Sequence, residues 1–307
     1  AYWTRLFMLR GVQALQPASE EVVVRLASRV RVPPGIAEPT AGDVESTRKW
    51  FYENYTPRPY QVAGILYLMK ARQLILADTT GLGKTVQAMG AAVLSCFVEK
   101  AAGTVLVVCP AGLRWQWRDE MCRMFRHPGT EDPIITTEMV TVIEAAPAFR
   151  KVIYSRKPTE FVILNYEILL KDAAKITEYL SKVGVRTIIF DESSRFRNPN
   201  TATFRQALFL RKAFKPRQVF CLNATPIENN LIDLWSQLAL VAPEIFARFR
   251  DFDARYVRRI VLTTQSGRKV DKIVGHNHVD EVKALIKDRY VRRAYKDVDE
   301  QLPDVVV

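Results

Sequence analysis

The sequence predicts an α/β fold, a parallel sheet covered by helices on both faces, and three observations carry that prediction. Short apolar runs recur at 74–78, 104–110, 138–144, 161–166, 187–192 and 218–223, as buried parallel strands do. Most gaps between them carry helical patterns such as Leu113, Trp117, Met121, Met124 and Phe125, and strands alternating with helices imply crossovers on both faces of the sheet. Two of the strands end in phosphate-type or acidic residues, and sheets of this class gather ligand-binding groups at their carboxyl edge. A chain of 307 residues, 48% hydrophobic, can bury such a core.

The elements follow in order. From Ala1 to about Glu53 little is legible beyond an apolar/polar alternation from Val22 to Val32, ended by Pro-Pro-Gly, which reads as one strand of a small accessory sheet. At Arg58 to Gln61, Pro59 opens a helix with an apolar face of Val62, Ile65, Leu66 and Met69. The stretch Leu74 to Thr85, LILADTTGLGKT, is an apolar strand entering a glycine-bearing turn that closes on Lys-Thr. Val86, Met89, Val93, Leu94 and Phe97 then recur at helical spacing. A phosphate would sit at this helix N-terminus, facing free backbone N–H groups of the turn that includes Gly81, Leu82 and Gly83. Lys84 would reach the β/γ-phosphates and the Thr85 hydroxyl would ligate Mg²⁺. Asp78 stands where the general pattern GxxxxGK[ST] has its first glycine.

Further along, TIIFDE at Thr187 to Glu192 ends in adjacent carboxylates. Asp191 would hold the Mg²⁺ bound through Thr85, and Glu192 would orient and deprotonate the attacking water. After Thr225 the pattern turns helical, with Leu231, Leu234, Trp235 and Leu238 on one face. Arg258 to Val274 reads as a basic hairpin around Ser266-Gly267, and a last helix carries Val282, Leu285, Ile286 and Tyr290.

Charge and composition narrow the class. The net charge of +12 favours a polyanionic partner, and beside a phosphate site nucleic acid is the first choice. Cys96, Cys109, Cys122 and Cys221 contain no CxxC pair and read as free thiols in a reducing compartment, without a disulfide. His276 and His278 lack the further ligands a metal site needs. No apolar run reaches the roughly eighteen residues of a membrane span, and the N-terminus has no signal-peptide layout. The chain reads as part of something longer.

In order and spacing these motifs resemble the SWI/SNF-type ATPases of helicase superfamily two, specifically their first RecA-like lobe. RPYQ resembles the adenine-reading glutamine motif and ADTTGLGKT resembles ADEMGLGKT. VLVVCPAGLRWQWRDE resembles the strand-Pro-helix motif at Cys109-Pro110, Trp117 and Glu120. ILNYE matches a Tyr-Glu element at Tyr166-Glu167. DESSRFRN resembles DEAHRLKN, CLNATPIENNLIDLWSQL resembles LTGTPIQNNLxELWSLL, and RRAYKDVDEQLP resembles RRxKxDVxxxLP. Ser194 replaces the His of DEAH, and Thr79-Thr80 replace Glu-Met.

The resemblance implies a RecA-like P-loop domain over 54–250, an accessory segment over 1–53, and a helical and hairpin extension over 251–307 leading towards a second RecA-like lobe. It implies that Gln61 reads adenine and that Lys84, Thr85 and Asp191 hold Mg-ATP. Glu192 acts as base, and Ser194, Asn223 and Thr225 couple nucleotide state to nucleic acid. Arg114, Arg195, Arg197 and Asn198 follow strand ends and are candidates for phosphate-backbone contact. Trp117 lies on an apolar stripe and reads as core; Trp115, two residues away, faces elsewhere. The implied function is ATP-driven translocation along double-stranded DNA without strand separation, with slow turnover by the isolated chain. Two alternatives stay open: an RNA or forked-DNA helicase of the same superfamily, and a module that binds ATP and nucleic acid without hydrolysis. The expected location is the DNA-associated cytoplasm of a prokaryotic or viral system, or the nucleus of a eukaryotic one.

Overall fold

The computed structural model describes residues 38–298 apart from 101, 145, 229 and 264–268; the expected strand at Val22 to Val32 and the turn at Ser266-Gly267 lie outside the described residues. The strands are β1 (Gln73–Leu76), β2 (Thr104–Cys109), β3 (Val140–Val142), β4 (Phe161–Asn165), β5 (Val185–Asp191), β6 (Gln218–Leu222), β7 (Val257–Thr263), β8 (Lys269–His276) and β9 (Tyr290–Val291). The helices are α1 (Ala41–Arg48), α2 (Pro59–Ala71), α3 (Lys84–Phe97), α4 (Arg114–Met124), α5 (Pro147–Ser155), α6 (Tyr166–Ser181), α7 (Ala202–Phe214), α8 (Ile232–Val241), α9 (Phe249–Tyr256) and α10 (Val279–Ile286). Seven strands form one sheet in the order β3-β4-β2-β5-β6-β1-β9, and every pairing in it is parallel.

The alternation of side chains along each strand builds two cores. Leu74 and Leu76 of β1 enter the cluster that holds α3 and Trp117 of α4, while Ile75 and neighbouring Ala77 enter the one that holds α6, α7 and α8. Both faces are thereby covered, so the strands read as continuous apolar runs rather than as an apolar/polar alternation. The strand order also sets the site. The carboxyl ends of β5, β6 and β1 are adjacent, so whatever follows Asp191, Leu222 and Leu76 meets at one edge.

Two expectations are corrected. Leu66 and Met69 of α2 are only half-buried, and the buried face runs through Val62, Ile65 and Leu68 with Tyr67 beside it. The reason is the contact with α3: a Cβ on Gly64 would lie 1.7 Å from Gln87 Oε1, so the bare glycine lets α3 approach and turns α2 towards it. The second correction concerns Tyr290, which is not on the last helix. That helix stops at Ile286, and Tyr290 opens β9 against the edge of β1. The Ile75 amide donates to Arg289 O at 2.8 Å and the Ala77 amide to Val291 O at 2.7 Å, so a strand edge that would otherwise be open is paired.

Near the N-terminal end of the described residues, Phe51 is 1% exposed and packs on Phe125 with ring centroids 4.7 Å apart. Beyond α9, β7 and β8 form a separate antiparallel ladder from Val257↔His276 to Thr263↔Lys269, with Ile260, Val261, Leu262 and Val270 exposed. His276 anchors this ladder to the main body, because its Nε2 accepts a hydrogen bond from the Leu231 amide at 3.0 Å, just ahead of α8. Burial holds the His276 pKa below the usual histidine value of 6.5, with Asp233 opposing. The unfolded chain therefore takes up the proton first. Stability is expected to fall as pH drops from 6.5 towards the lower folded value, and to level off below it. Denaturant melts across that window should lose this component in His276→Gln, which keeps an acceptor without a titration.

Candidate functional site

β1 ends at Leu76, and the chain then turns through Thr79 to Gly83 before α3 begins at Lys84. Gly81 and Gly83 adopt φ of 89° and 70°, the left-handed region that glycine enters without steric cost. No side chain caps the N-terminus of α3, so the first-turn amides keep their donor capacity for an anion. Lys84 Nζ donates to the Asp78 carbonyl at 2.9 Å, which folds its side chain back over the turn. Burial pulls the Lys84 ammonium below the usual lysine range, and Glu192, Asp78 and Asp191 oppose that shift.

Asp191 closes β5 and is 5% exposed. Its Oδ2 accepts from Trp117 Nε1 at 2.9 Å, its Oδ1 accepts from the Glu192 amide at 3.0 Å, and its carbonyl accepts from the Tyr166 hydroxyl at 2.5 Å. Burial raises the Asp191 pKa; the Trp117 hydrogen bond opposes this, while the neighbouring Glu192 charge adds to the rise. A buried carboxylate raised by desolvation and a half-buried lysine lowered by it suit a cation and an anion respectively, since an opposite charge would relieve each shift. The residues present fit Mg²⁺ with a phosphate chain: Thr85 and Asp191 would hold the metal, and Lys84 with the α3 amides would hold the phosphates. Glu192 itself is exposed and sits at φ 51°, a left-handed conformation that a non-glycine residue adopts at a cost.

The other predicted residues divide by position. Gln61 lies against the turn: its Oε1 accepts from the Arg58 amide at 2.9 Å and its Nε2 donates to Leu82 O at 3.5 Å. The Leu82 side chain is fully buried beside Tyr60 and Val298, leaving only its backbone to face a ligand. Asn223 follows β6; its Oδ1 accepts from the Thr225 amide at 3.1 Å and its own amide donates to Leu76 O at 3.1 Å. The Ser194 hydroxyl is turned to Glu192 O at 3.5 Å.

Among the candidates for phosphate-backbone contact, Arg114 donates to Ile143 O at 2.8 Å and to Ala111 O at 3.1 Å, so part of its guanidinium is engaged in bracing a loop. Arg195 is exposed, 3.9 Å from Glu167 and stacked over Tyr166. Arg197 pairs with Glu228, and Asn198 Oδ1 accepts from the Asn200 amide at 2.9 Å. Arg197 and Asn198 share one surface depression with Arg259 of the hairpin. Exposed Trp115 carries the Arg118 guanidinium 4.7 Å from its ring centroid.

The sequence reading missed three features. Trp117 is core, yet its indole N–H also orients Asp191. Tyr295 donates to Thr80 O at 2.5 Å and stands where a Cβ on Gly81 would be. Most of all, Arg293 is buried against the phosphate-type turn. Its Nη2 lies 2.5 Å from Asp78 Oδ2 and its Nε 3.1 Å from Asp78 Oδ1, with side chains 6% and 0% exposed. The same guanidinium donates to Gln87 Oε1 at 2.6 Å and to the Tyr60 carbonyl. A charged residue at a buried strand end, Asp78, was the available signal, because it requires a cation that the neighbouring sequence does not supply. Arg293→Ala, which leaves Asp78 buried and unpaired, is expected to lower stability by about 3–5 kcal/mol. The double substitution with Asp78→Ala should lose less than the single one in urea melts, and an equal or larger loss would mean that the pair is not the source.

Comparison with known proteins adds the family. A family model described as "SNF2-related domain" matches residues 46–307. The human "DNA annealing helicase and endonuclease ZRANB3" is 27% identical over 249 residues, which cover 81% of this chain and 21% of that protein. The Saccharomyces cerevisiae "ISWI chromatin-remodeling complex ATPase ISW1" is 29% identical over 255 residues, covering 82% of this chain and 20% of that protein. The chain thus spans about a fifth of the length of these relatives. The solved "Sulfolobus solfataricus SWI2/SNF2 ATPase core in complex with dsDNA" superposes with a TM-score of 0.61 at 25% identity, over 81% of this chain and 47% of that one. Since the family match takes in all the strands of the sheet and the residues around Lys84 and Asp191 alike, the chain belongs to the SNF2-related domain family.

Proposed function

We propose that this chain is the first, nucleotide-binding lobe of an ATP-driven motor that tracks along double-stranded DNA. The observation that carries the proposal is the meeting of three strand ends at one carboxyl edge: the Lys84-Thr85 turn after β1, Asp191-Glu192 at β5 and the Asn223–Thr225 turn after β6. Hydrolysis of a phosphoanhydride needs charge neutralisation, an oriented water and a sensor of the leaving phosphate. Thr85 and Asp191 would hold Mg²⁺, which would supply the first. Gln61 would read the adenine edge, and Lys84 with the amides of Gly81, Leu82 and Gly83 would hold the phosphate chain. Glu192 would draw the proton from the attacking water, and the turn of Asn223 and Thr225 would respond to the γ-phosphate. Arginines from a second RecA-like lobe would complete the site, a contribution worth roughly three to five orders of magnitude in rate.

The duplex partner is supported by the net charge of +12 and by the dsDNA in the related solved structure. Arg114, Arg195, Arg197 and Asn198 are the proposed contacts with the sugar-phosphate backbone. Such contacts read no sequence and release counterions, so affinity would be insensitive to base sequence and would weaken steeply with salt. Among the described residues no helix is long and apolar enough to cross a membrane.

Lys84→Ala is expected to abolish Mg-ATP binding in calorimetry. Glu192→Gln in the full-length protein should keep that binding and lose turnover. The present chain alone should bind Mg-ATP and hydrolyse it very slowly; brisk turnover would sink the two-lobe account. A helicase reading is favoured by one observation, the exposed apolar residues of the β7–β8 hairpin, which would suit a wedge between strands. Replacing residues 259–274 by a Gly-Ser turn separates the two readings. A translocase should still displace the third strand of a triplex, with ATP turnover rising with duplex length, whereas a helicase would lose unwinding of a forked substrate.

A further inference from the structure

Gln237 lies in the middle of α8, on a helix whose neighbours Leu234, Leu238 and Val241 are apolar and buried. It is fully buried itself. A primary amide in such a place costs several kcal/mol of lost hydration unless its groups are paired, roughly 2–7 kcal/mol by transfer measurements. Here they are all paired. Gln237 Oε1 accepts from the Ser193 hydroxyl at 2.8 Å and from Asn223 Nδ2 at 3.4 Å, and Nε2 donates to Pro226 O at 3.3 Å and Asp233 O at 3.4 Å. One amide offers two acceptor positions and two donor protons, so its capacity is used in full.

What it joins matters more than the count. Ser193 follows Glu192 directly, is fully buried, and its hydroxyl also lies 3.2 Å from Leu222 O. Asn223 and Pro226 bound the turn after β6, and Asn223 is 1% exposed. Ser194, at the position that resembles the His of DEAH, faces Glu192 O instead and makes no such link. The motif that this helix resembles, LWSLL, has leucine where LWSQL has Gln237. The bland account is that the amide merely fills a polar gap in the core. An apolar residue would fill α8 at less cost, and it would leave the Asn223 amide and the Ser193 hydroxyl without their shared acceptor.

We infer that Gln237 is a positioning residue that ties the segment after the Asp191-Glu192 carboxylates to the Asn223–Pro226 turn, so that a shift at either is carried to the other. It touches no substrate and acts through Ser193 and Asn223. The inference rests on the nucleotide-site reading given above, and it adds the route by which that site reaches the turn after β6.

The test uses the full-length protein with Gln237→Met, which keeps the length of the side chain and removes the amide. Two readouts are taken. Hydrogen exchange at the amides from Asn223 to Ile227 is compared with and without Mg-ATP, in the absence of nucleic acid. The expected result is slowed exchange in the parent protein and no nucleotide response in Gln237→Met, with the dissociation constant for Mg-ATP unchanged within about twofold and coupling free energies of this kind read as 5- to 150-fold effects. The duplex-stimulated kcat should fall about tenfold while KM for ATP and the basal rate hold, within the same coupling range. Ser193→Ala should reproduce the phenotype, and the double variant should lose no more than either single one, as expected of groups in one network. An intact exchange response in Gln237→Met overturns the inference. So does a loss in which basal rate, nucleotide binding and thermal stability fall together, because that marks a structural strut. A parent protein whose ATPase ignores duplex DNA fails the motor reading alone, since the exchange comparison still decides the tie.

Discussion

The phosphate-type turn is positioned by an ion pair between residues far apart in the chain, and the arrangement of the site depends on it. Asp78 lies two residues past β1 with no exposure to solvent, so its charge has to be met inside the protein. Arg293 meets it with two guanidinium nitrogens and a backbone amide, from a segment that follows β9. The hydrogen bonds of β9 to β1 deliver that segment: Ala77 N to Val291 O, then Thr79 N to Arg293 O at 3.0 Å. The turn is thus zipped along one side by the segment that follows β9. Gln87 closes the circle, donating to Asp78 Oδ2 at 3.2 Å and to Leu82 O at 3.0 Å while accepting from Arg293. A charge pair of this kind adds little net stability over an apolar substitute, but it tolerates no partial loss. Its effect is to allow one geometry of the turn.

The acidic half of the site is built by a different device. Asp191 is held by an indole, a backbone amide and, through its carbonyl, a phenol. Trp117 comes from α4 and Tyr166 from the start of α6, so elements from both faces of the sheet converge on the end of β5. Such networks rigidify when fully satisfied. The result is a carboxylate whose orientation is set by the protein itself, although its charge is disfavoured by burial. Burial disfavours ionised Asp191 and protonated Lys84 alike, and the proposed Mg-ATP would offset both.

The positive charge is distributed less sharply. Arg195 and Arg197 both face carboxylates, Glu167 and Glu228, and Arg114 spends donors on backbone carbonyls. Surface pairs of this type are weak, roughly 0–1 kcal/mol each, so they would be given up readily in the proposed contact with phosphate oxygens. The hairpin carries Arg259 into the same depression as Arg197 and Asn198, with Asp253 as its resting partner. The proposed nucleic-acid contacts would therefore draw on several elements of the fold rather than on one basic run.

The order of strands and helices, the Lys84-Thr85 turn and the Asp191-Glu192 strand end were all legible in the sequence, because each depends on side-chain periodicity or on residue types a few positions apart. The resemblance of the motifs, from RPYQ to the final RRAYKDV, carried the family as well. What could not be read was which buried polar group meets which. Sequence periodicity carries the last helix on to Tyr290 because a short edge strand has no periodicity to show, and only the open side of β1 decides its pairing. Trp117 was legible as core, yet its donor to Asp191 comes from 74 positions away in the chain. Arg293 and Asp78 are 215 positions apart, and nothing beside Gln237 in the sequence shows what its amide joins. The sequence by itself determined the elements and the chemistry offered at their ends. Only the tertiary structure decided the partners, because a hydrogen bond or ion pair is chosen by proximity in space, and burial makes that choice binding.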